Sequence, residues 1–339
     1  MMNEHGSIIL DPLLPVIDSH HHLMDRIPDI MASVFGFRRF LIDEYFDRVM
    51  TGHNVVASVF VEAMAMHRKN GPEEFRVVGE TEFANGQAAM AASGVYGPCL
   101  MAAGIVSLAE LSLGDRIRPV LEAHMEAAPA RFRGIRLPGM WDADPSVLRG
   151  YFKIPEKFYT DLGFRAGFAH LAPLGLSFDA FVLAPQLGDV VDLATAFPET
   201  SIILDHLGNP VDSGSYAGKL DEHFPQWRRD MTLLAQLPNV TVKMGGLGTF
   251  IMGFPLASPL TDEGLAQKWK PYAETAIELF GADRCMFESN TPTDQAGSFR
   301  TVCNAYKIIT QGCSLDEKRA IFAGTANRVY RLGLDDILA

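Results

Sequence analysis

The sequence predicts a (β/α)8 barrel, on three observations. Short runs rich in β-branched and aromatic residues recur along the whole chain, each followed by a segment of helical periodicity. No Pro-, Gly- or Ser-rich linker interrupts the series, so residues 1–339 are expected to form a single domain. Histidines and carboxylates fall at the ends of several of the runs, where a barrel gathers its chemistry at one mouth.

The expected strands are 16–20, 55–62, 99–106, 132–137, 176–183, 201–206, 240–244 and 285–290. Each is short, apolar and bounded by polar or glycine-containing segments, as buried parallel strands are. Helical spacing of apolar residues marks 73–93, 115–127, 187–197, 220–237 and 262–280, and two closing helices are expected at 298–311 and 315–326. An open doubly wound sheet is the alternative, but it lacks a glycine-rich fingerprint after the first strand. The glycines at 245, 246 and 248 do not match G-x-G-x-x-G and read as loop chemistry. Two connections are long for a barrel, 138–160 and 246–271. Their apolar content (Trp141, Tyr151 and Phe152; Phe250, Met252, Phe254 and Trp269) suits a substrate lid or a subunit contact.

Composition narrows the function. Apolar residues make up 48 % of the chain, enough for a sizeable core. The net charge of −12 argues against a nucleic-acid partner. The start has no basic region leading into an apolar stretch, and no apolar run is long enough to span a bilayer, so no membrane partner is expected. Cys99, Cys285, Cys303 and Cys313 show no paired spacing and read as reduced thiols, which places the protein in the cytoplasm.

The first strand ends Asp18-Ser19-His20-His21-His22. Strand alternation puts Asp18, His20 and His22 on one face and turns His21 toward the helical layer, where a hydrogen bond is expected for it. His20 and His22 can then converge on a metal, with Asp18 as ligand or orienting group. His206 ends the sixth strand, Glu62 the second, and Glu288 and Asn290 share a face at the end of the eighth. Imidazoles and carboxylates at matching heights suit zinc, iron or manganese. His20, His22, Glu62, His206 and Glu288 are therefore the expected metal ligands, with Glu288 and Asp18 as candidate catalytic bases. Arg136, at the end of the fourth strand, is a candidate for binding a substrate carboxylate or, equally, for a structural ion pair, and Trp141 follows it as a candidate substrate contact.

The Asp18–His22 run, Arg133-Gly134-Ile135-Arg136, the Asp205-His206-Leu207-Gly208-Asn209-Pro210 run, Lys243-Met244-Gly245-Gly246 and Met286-Phe287-Glu288-Ser289-Asn290 together resemble the amidohydrolase superfamily, in its amidohydrolase 2 branch. The resemblance runs from Asp18 to Leu332. It implies a distorted barrel with metal at the mouth, held by His20, His22 and His206. It also implies a further fourth-strand ligand, a fifth-strand histidine and an eighth-strand aspartate, where this chain has Leu137, Ala184 and Asn290.

Three functions follow. In the first, a hydrolase uses the metal to polarise a lactone or amide carbonyl while Glu288 or Asp18 takes a proton from water. In the second, the subgroup resembles non-haem dinuclear monooxygenases, served by a separate ferredoxin and reductase. In the third, the chain is a depleted subunit keeping one metal, zinc being expected and iron or manganese possible, beside a homologous fully liganded partner. The second and third combine into the preferred expectation, a subunit of a heteromeric iron or manganese monooxygenase acting on a small organic acid. The alternative is a metal-dependent hydrolase of the lactonase or amidase type.

Overall fold

The computed structural model describes residues 8–150, 153–252 and 260–338. Eight parallel strands run in chain order around a nearly closed barrel: β1 Pro15–His21, β2 Asn54–Val61, β3 Leu100–Ser107, β4 Phe132–Arg136, β5 Ser177–Ala180, β6 Ile202–Leu204, β7 Val240–Met244 and β8 Cys285–Phe287. This is the (β/α)8 architecture expected from the alternating runs. The principal helices lie close to their expected positions, among them Val78–Ala91, Arg118–Ala127, Leu187–Ala196, Leu220–Ala235, Asp262–Phe280 and Phe299–Ile309.

Two apolar layers hold the barrel. Outside it, alternate strand residues such as Val16, Phe60, Ile105, Phe178 and Phe287 pack under the helices. Inside, Ile17, Ala57, Val59, Val106, Ile203 and Met286 form a second cluster with Ala326, Val329 and Tyr330 from the last helical turns. The carboxyl-terminal segment thus plugs the interior, so that residues near 330 reach the floor of the mouth.

The seam between β1 and β8 is closed by few backbone bonds. Asn290 N–H donates to His20 O at 2.9 Å and His22 N–H to Thr291 O at 2.8 Å. Side chains supply the rest: Ser19 Oγ donates to Phe287 O at 2.8 Å, and Asp18 accepts from Ser289 N–H at 2.8 Å and Ser289 Oγ at 2.6 Å. Asp18 was expected to share a face with His20 and His22. Register shifts between Val16 and Ile17 and between Asp18 and His21 break the alternation on which that expectation rests. Asp18 is a staple across the seam, with both oxygens engaged. His21 does turn to the helical layer, packing 4.5 Å from the Tyr45 ring, but neither ring nitrogen has a hydrogen-bond partner.

Burial pushes the Asp18 carboxyl up from 3.8 to about 7. The folded chain therefore keeps this proton in a range where the unfolded chain has lost it. Its contribution to stability falls by up to about 1.4 kcal/mol per pH unit as pH rises through that window. Asp18→Asn keeps an acceptor for Ser289 N–H and adds a donor for Ser289 Oγ. Urea midpoints from pH 5 to 8 should show the variant gaining on the parent as pH rises; a constant difference would contradict the assignment.

The long connections differ from their expected form. The 246–271 excursion is half helix: Thr261 caps Asp262–Phe280 by accepting from Gly264 N–H, so Trp269 and Pro271 are helical and Trp269 is buried. Phe254, Tyr151 and Phe152 fall outside the described residues. Met140, Val147, Leu148, Leu183, Val211 and Ile251 form a small apolar cluster joining the segments after β4, β5, β6 and β7. Tyr216 O–H ties the β6 segment to Asp142 in the β4 segment at 2.9 Å. Among the described residues, no helix is long and apolar enough to cross a membrane.

Candidate metal centre

His20, His206 and Glu288 converge at the mouth, all buried, with one donor atom from each lying within 4.8 Å of the others. Three strand ends place them, those of β1, β6 and β8. Glu288 Oε1 accepts from His206 Nδ1–H at 2.8 Å and from the His206 N–H at 3.2 Å. Glu288 Oε2 accepts no hydrogen bond, although His20 Nδ1 lies 3.0 Å away. A buried carboxylate oxygen left in that condition is costly unless a proton or a cation meets it.

His22 stands beside this group. Its Nδ1–H donates to Val61 O at 2.9 Å, which leaves Nε2 as a lone pair, 3.3 Å from His20 Nε2 and 3.1 Å from Asn290 Oδ1. His22 Nε2 and Asn290 Oδ1 are two acceptors facing one another, which again fits a nearby cation. Burial, followed by the Lys243 ammonium, holds the His20 imidazole well below its ordinary pKa. Burial and Arg136 do the same to His22. Both rings are neutral at pH 7, the form in which imidazole ligates.

Two cations complete the mouth. Arg136 Nε donates to Glu62 Oε1 and Arg136 Nη2 to Glu62 O, each at 2.7 Å, with Nη1 3.2 Å from His20 Nε2. Its guanidinium stacks 4.7 Å from the Phe181 ring. The neighbouring carboxylates, Glu62 first, hold it protonated against the cost of burial. Lys243 Nζ donates to Asp179 Oδ2 at 2.6 Å and lies 3.0 Å from Asp205 Oδ1 and 3.2 Å from His20 Nδ1. Burial alone would depress the lysine, but Asp179, Asp205 and Glu288 outweigh it and raise its pKa. Glu62, Asp179, Asp205 and Glu288 face Arg136 and Lys243 across the mouth, and a divalent ion beside Glu288 Oε2 would add positive charge where that oxygen has no donor. The residues present fit a single such ion.

Several expected roles change. Glu62 lies outside the converging group, with Oε1 bound to Arg136 and Oε2 accepting from Met64 N–H at 3.1 Å. Of the two roles expected for Arg136 the structure shows the ion pair: its fork engages Glu62 and it is 5 % exposed. Trp141 is half-buried after β4, its backbone N–H donating to Gln186 at 2.9 Å. Lys243, Asp179, Asp205 and Tyr330 were not among the expected site residues. Lys243 shares its strand face with Gly245, and that pattern alone could have pointed it at the mouth.

The backbone is tailored to the group. His206 adopts φ 54°, a left-handed conformation that costs energy for a residue with a Cβ. A Cβ on Gly246, itself at φ 61°, would lie 2.0 Å from His206 Nδ1, and one on Gly245 would lie 2.3 Å from Glu288 Cγ. Gly246→Ala is therefore expected to displace His206 and lower the melting temperature. Retention of wild-type stability and metal content would show that the close packing is dispensable.

A parallel barrel with imidazoles and carboxylates gathered at the carboxyl ends of its strands defines a class of mononuclear or dinuclear metal enzymes. The chain belongs to the amidohydrolase family, whose model matches residues 17–332. It is 32 % identical over 333 residues to y4mH of Sinorhizobium fredii, an uncharacterized protein, covering 94 % of this chain and 99 % of that one. It is 29 % identical over 180 residues to L-fucono-1,5-lactonase of Burkholderia multivorans, covering 52 % of this chain and 58 % of the lactonase. The fold superposes on a zinc-bound amidohydrolase from Burkholderia multivorans with a TM-score of 0.70 at 24 % identity, over 93 % of this chain and 99 % of the other. The branch expected from the motifs is therefore right. The monooxygenase subgroup and its heteromeric partner find no support in these relatives, whereas the hydrolytic alternative does.

Proposed function

We propose that this protein is a hydrolase that opens a small cyclic ester at the barrel mouth, with one divalent ion, zinc being the expected one. The observation that carries the reading is Glu288, held rigidly through Oε1 while Oε2 is left without a donor beside His20 and His206. The relationship to a lactonase supports a lactone as substrate. His20 and His206 would hold the ion, with His22 adjacent and Glu288 Oε2 left beside it as the base, and the ion would supply Lewis acidity at the carbonyl.

The chain's own groups account for the proton. Glu288 Oε2 accepts it from the attacking water as the hydroxyl oxygen bonds to the carbonyl carbon. The ring C–O bond breaks, and the protonated Glu288 returns the proton to the departing alkoxide. His206 keeps the carboxylate oriented throughout, and neutral His20 and His22 do not compete for the proton. Arg136 and Lys243 add fixed positive charge where negative charge develops on the carbonyl oxygen. This chemistry needs neither dioxygen nor a reductase.

The test is anaerobic turnover of a panel of sugar-acid five- and six-membered lactones, followed by acid release with and without zinc. Zinc-dependent ring opening without dioxygen is the expected result. Substrate oxidation that requires dioxygen and a reductase would overturn the reading.

A further inference from the structure

We propose that the Lys243 ammonium is a built-in second cation of this centre and confines it to one metal ion. The inference rests on the metal-binding reading above. Lys243 is fully buried among donors drawn from three separate elements: Asp179 Oδ2 of β5 at 2.6 Å, Asp205 Oδ1 after β6 at 3.0 Å, and His20 Nδ1 of β1 at 3.2 Å. Two carboxylates converging on one point beside a ligand of the first ion make a donor set suited to a divalent ion, and the ammonium nitrogen occupies that point.

The surroundings show how fully those carboxylates rely on it. Asp179 Oδ1 and both oxygens of Asp205 receive no hydrogen bond. Besides Lys243, Asp205 has Arg136 Nη1 at 3.6 Å, and Asp179 has Tyr330 O–H at 2.8 Å. The Tyr330 ring lies 5.6 Å from Nζ and seals the underside, so the ammonium cannot withdraw toward solvent. A lysine is a compact point charge on a flexible stem, the side chain best able to stand where an ion would. Without it, Asp179 and Asp205 would be two bare buried carboxylates next to the ligands of the first ion, an arrangement that takes up a second one. Lys243 is thus a positioning residue, one that sets metal number by charge.

Equilibrium dialysis against excess zinc, followed by elemental analysis, tests this on the full chain. The parent should hold one zinc per chain, Lys243→Ala two, and Lys243→Ala combined with Asp179→Asn one again. Two zinc ions in the parent, or one in a folded Lys243→Ala, would overturn the inference. Should Lys243→Ala fold only when zinc is present, recovery of its circular dichroism with two bound ions supports it. Failure to fold at any zinc concentration overturns it, because an ion able to replace the ammonium would restore the charge balance. A parent that binds no zinc defeats the metal-binding reading separately. In that case one ion gained by Lys243→Ala alone still upholds the role of Lys243, and no gain overturns it.

Discussion

Arg136→Met is expected to destabilise the folded chain by about 3–5 kcal/mol, the cost of leaving a buried carboxylate without its partner. Glu62 is fully buried, and among the described residues Arg136 supplies its ion pair, besides bonding the Glu62 carbonyl. The packing of the guanidinium against Phe181 is lost as well. Arg136→Lys should recover little of this, since an ammonium cannot span two acceptors with a planar fork. Adding Glu62→Gln to Arg136→Met should restore part of the stability by removing the stranded charge. Urea denaturation at pH 7 measures all three variants, and a loss below about 1 kcal/mol for Arg136→Met would show the pair to be solvated.

Glu288→Gln is expected to lower kcat for lactone opening by about two to four orders of magnitude, the range assigned to a positioned proton acceptor. Glutamine preserves the shape and still accepts from His206 through its carbonyl oxygen, but it cannot take the proton of water. KM should change little, and the melting temperature should stay close to that of the parent. Zinc content is measured alongside, because Glu288 is also one of the converging donors. Unchanged turnover in Glu288→Gln would remove the proposed base from the mechanism.

Much of the fold was readable because buried parallel strands carry their signal locally, in runs of β-branched and aromatic residues with helical periodicity between them. The site was readable where it follows from strand ends: His20, His22, His206 and Glu288 come together at the mouth as alternation predicts. Asp18 was placed on the face of His20 and His22 because no residue in the run announces the register shift in β1 that breaks the alternation. The sequence left Arg136 between a substrate contact and an ion pair because its partner, Glu62, lies 74 residues earlier and is chosen only by the closing of the barrel. Asp179 and Tyr330 escaped for the same reason. Tyr330 stands 151 residues from the carboxylate it meets, and only the plugging of the barrel interior by the carboxyl-terminal segment brings them together. Asp205 sits beside His206 in a run that drew attention for its histidine alone.

The most direct test of the hydrolytic centre is a zinc titration of chelator-treated protein, with lactone opening followed without dioxygen. Activity should rise in proportion to bound zinc, reach its plateau at one ion per chain, and fail to appear in His20→Ala or His206→Ala, which should also lose the ion. Full activity in the metal-free protein, or zinc bound undiminished by both histidine variants, would contradict the assignment of the centre to these residues.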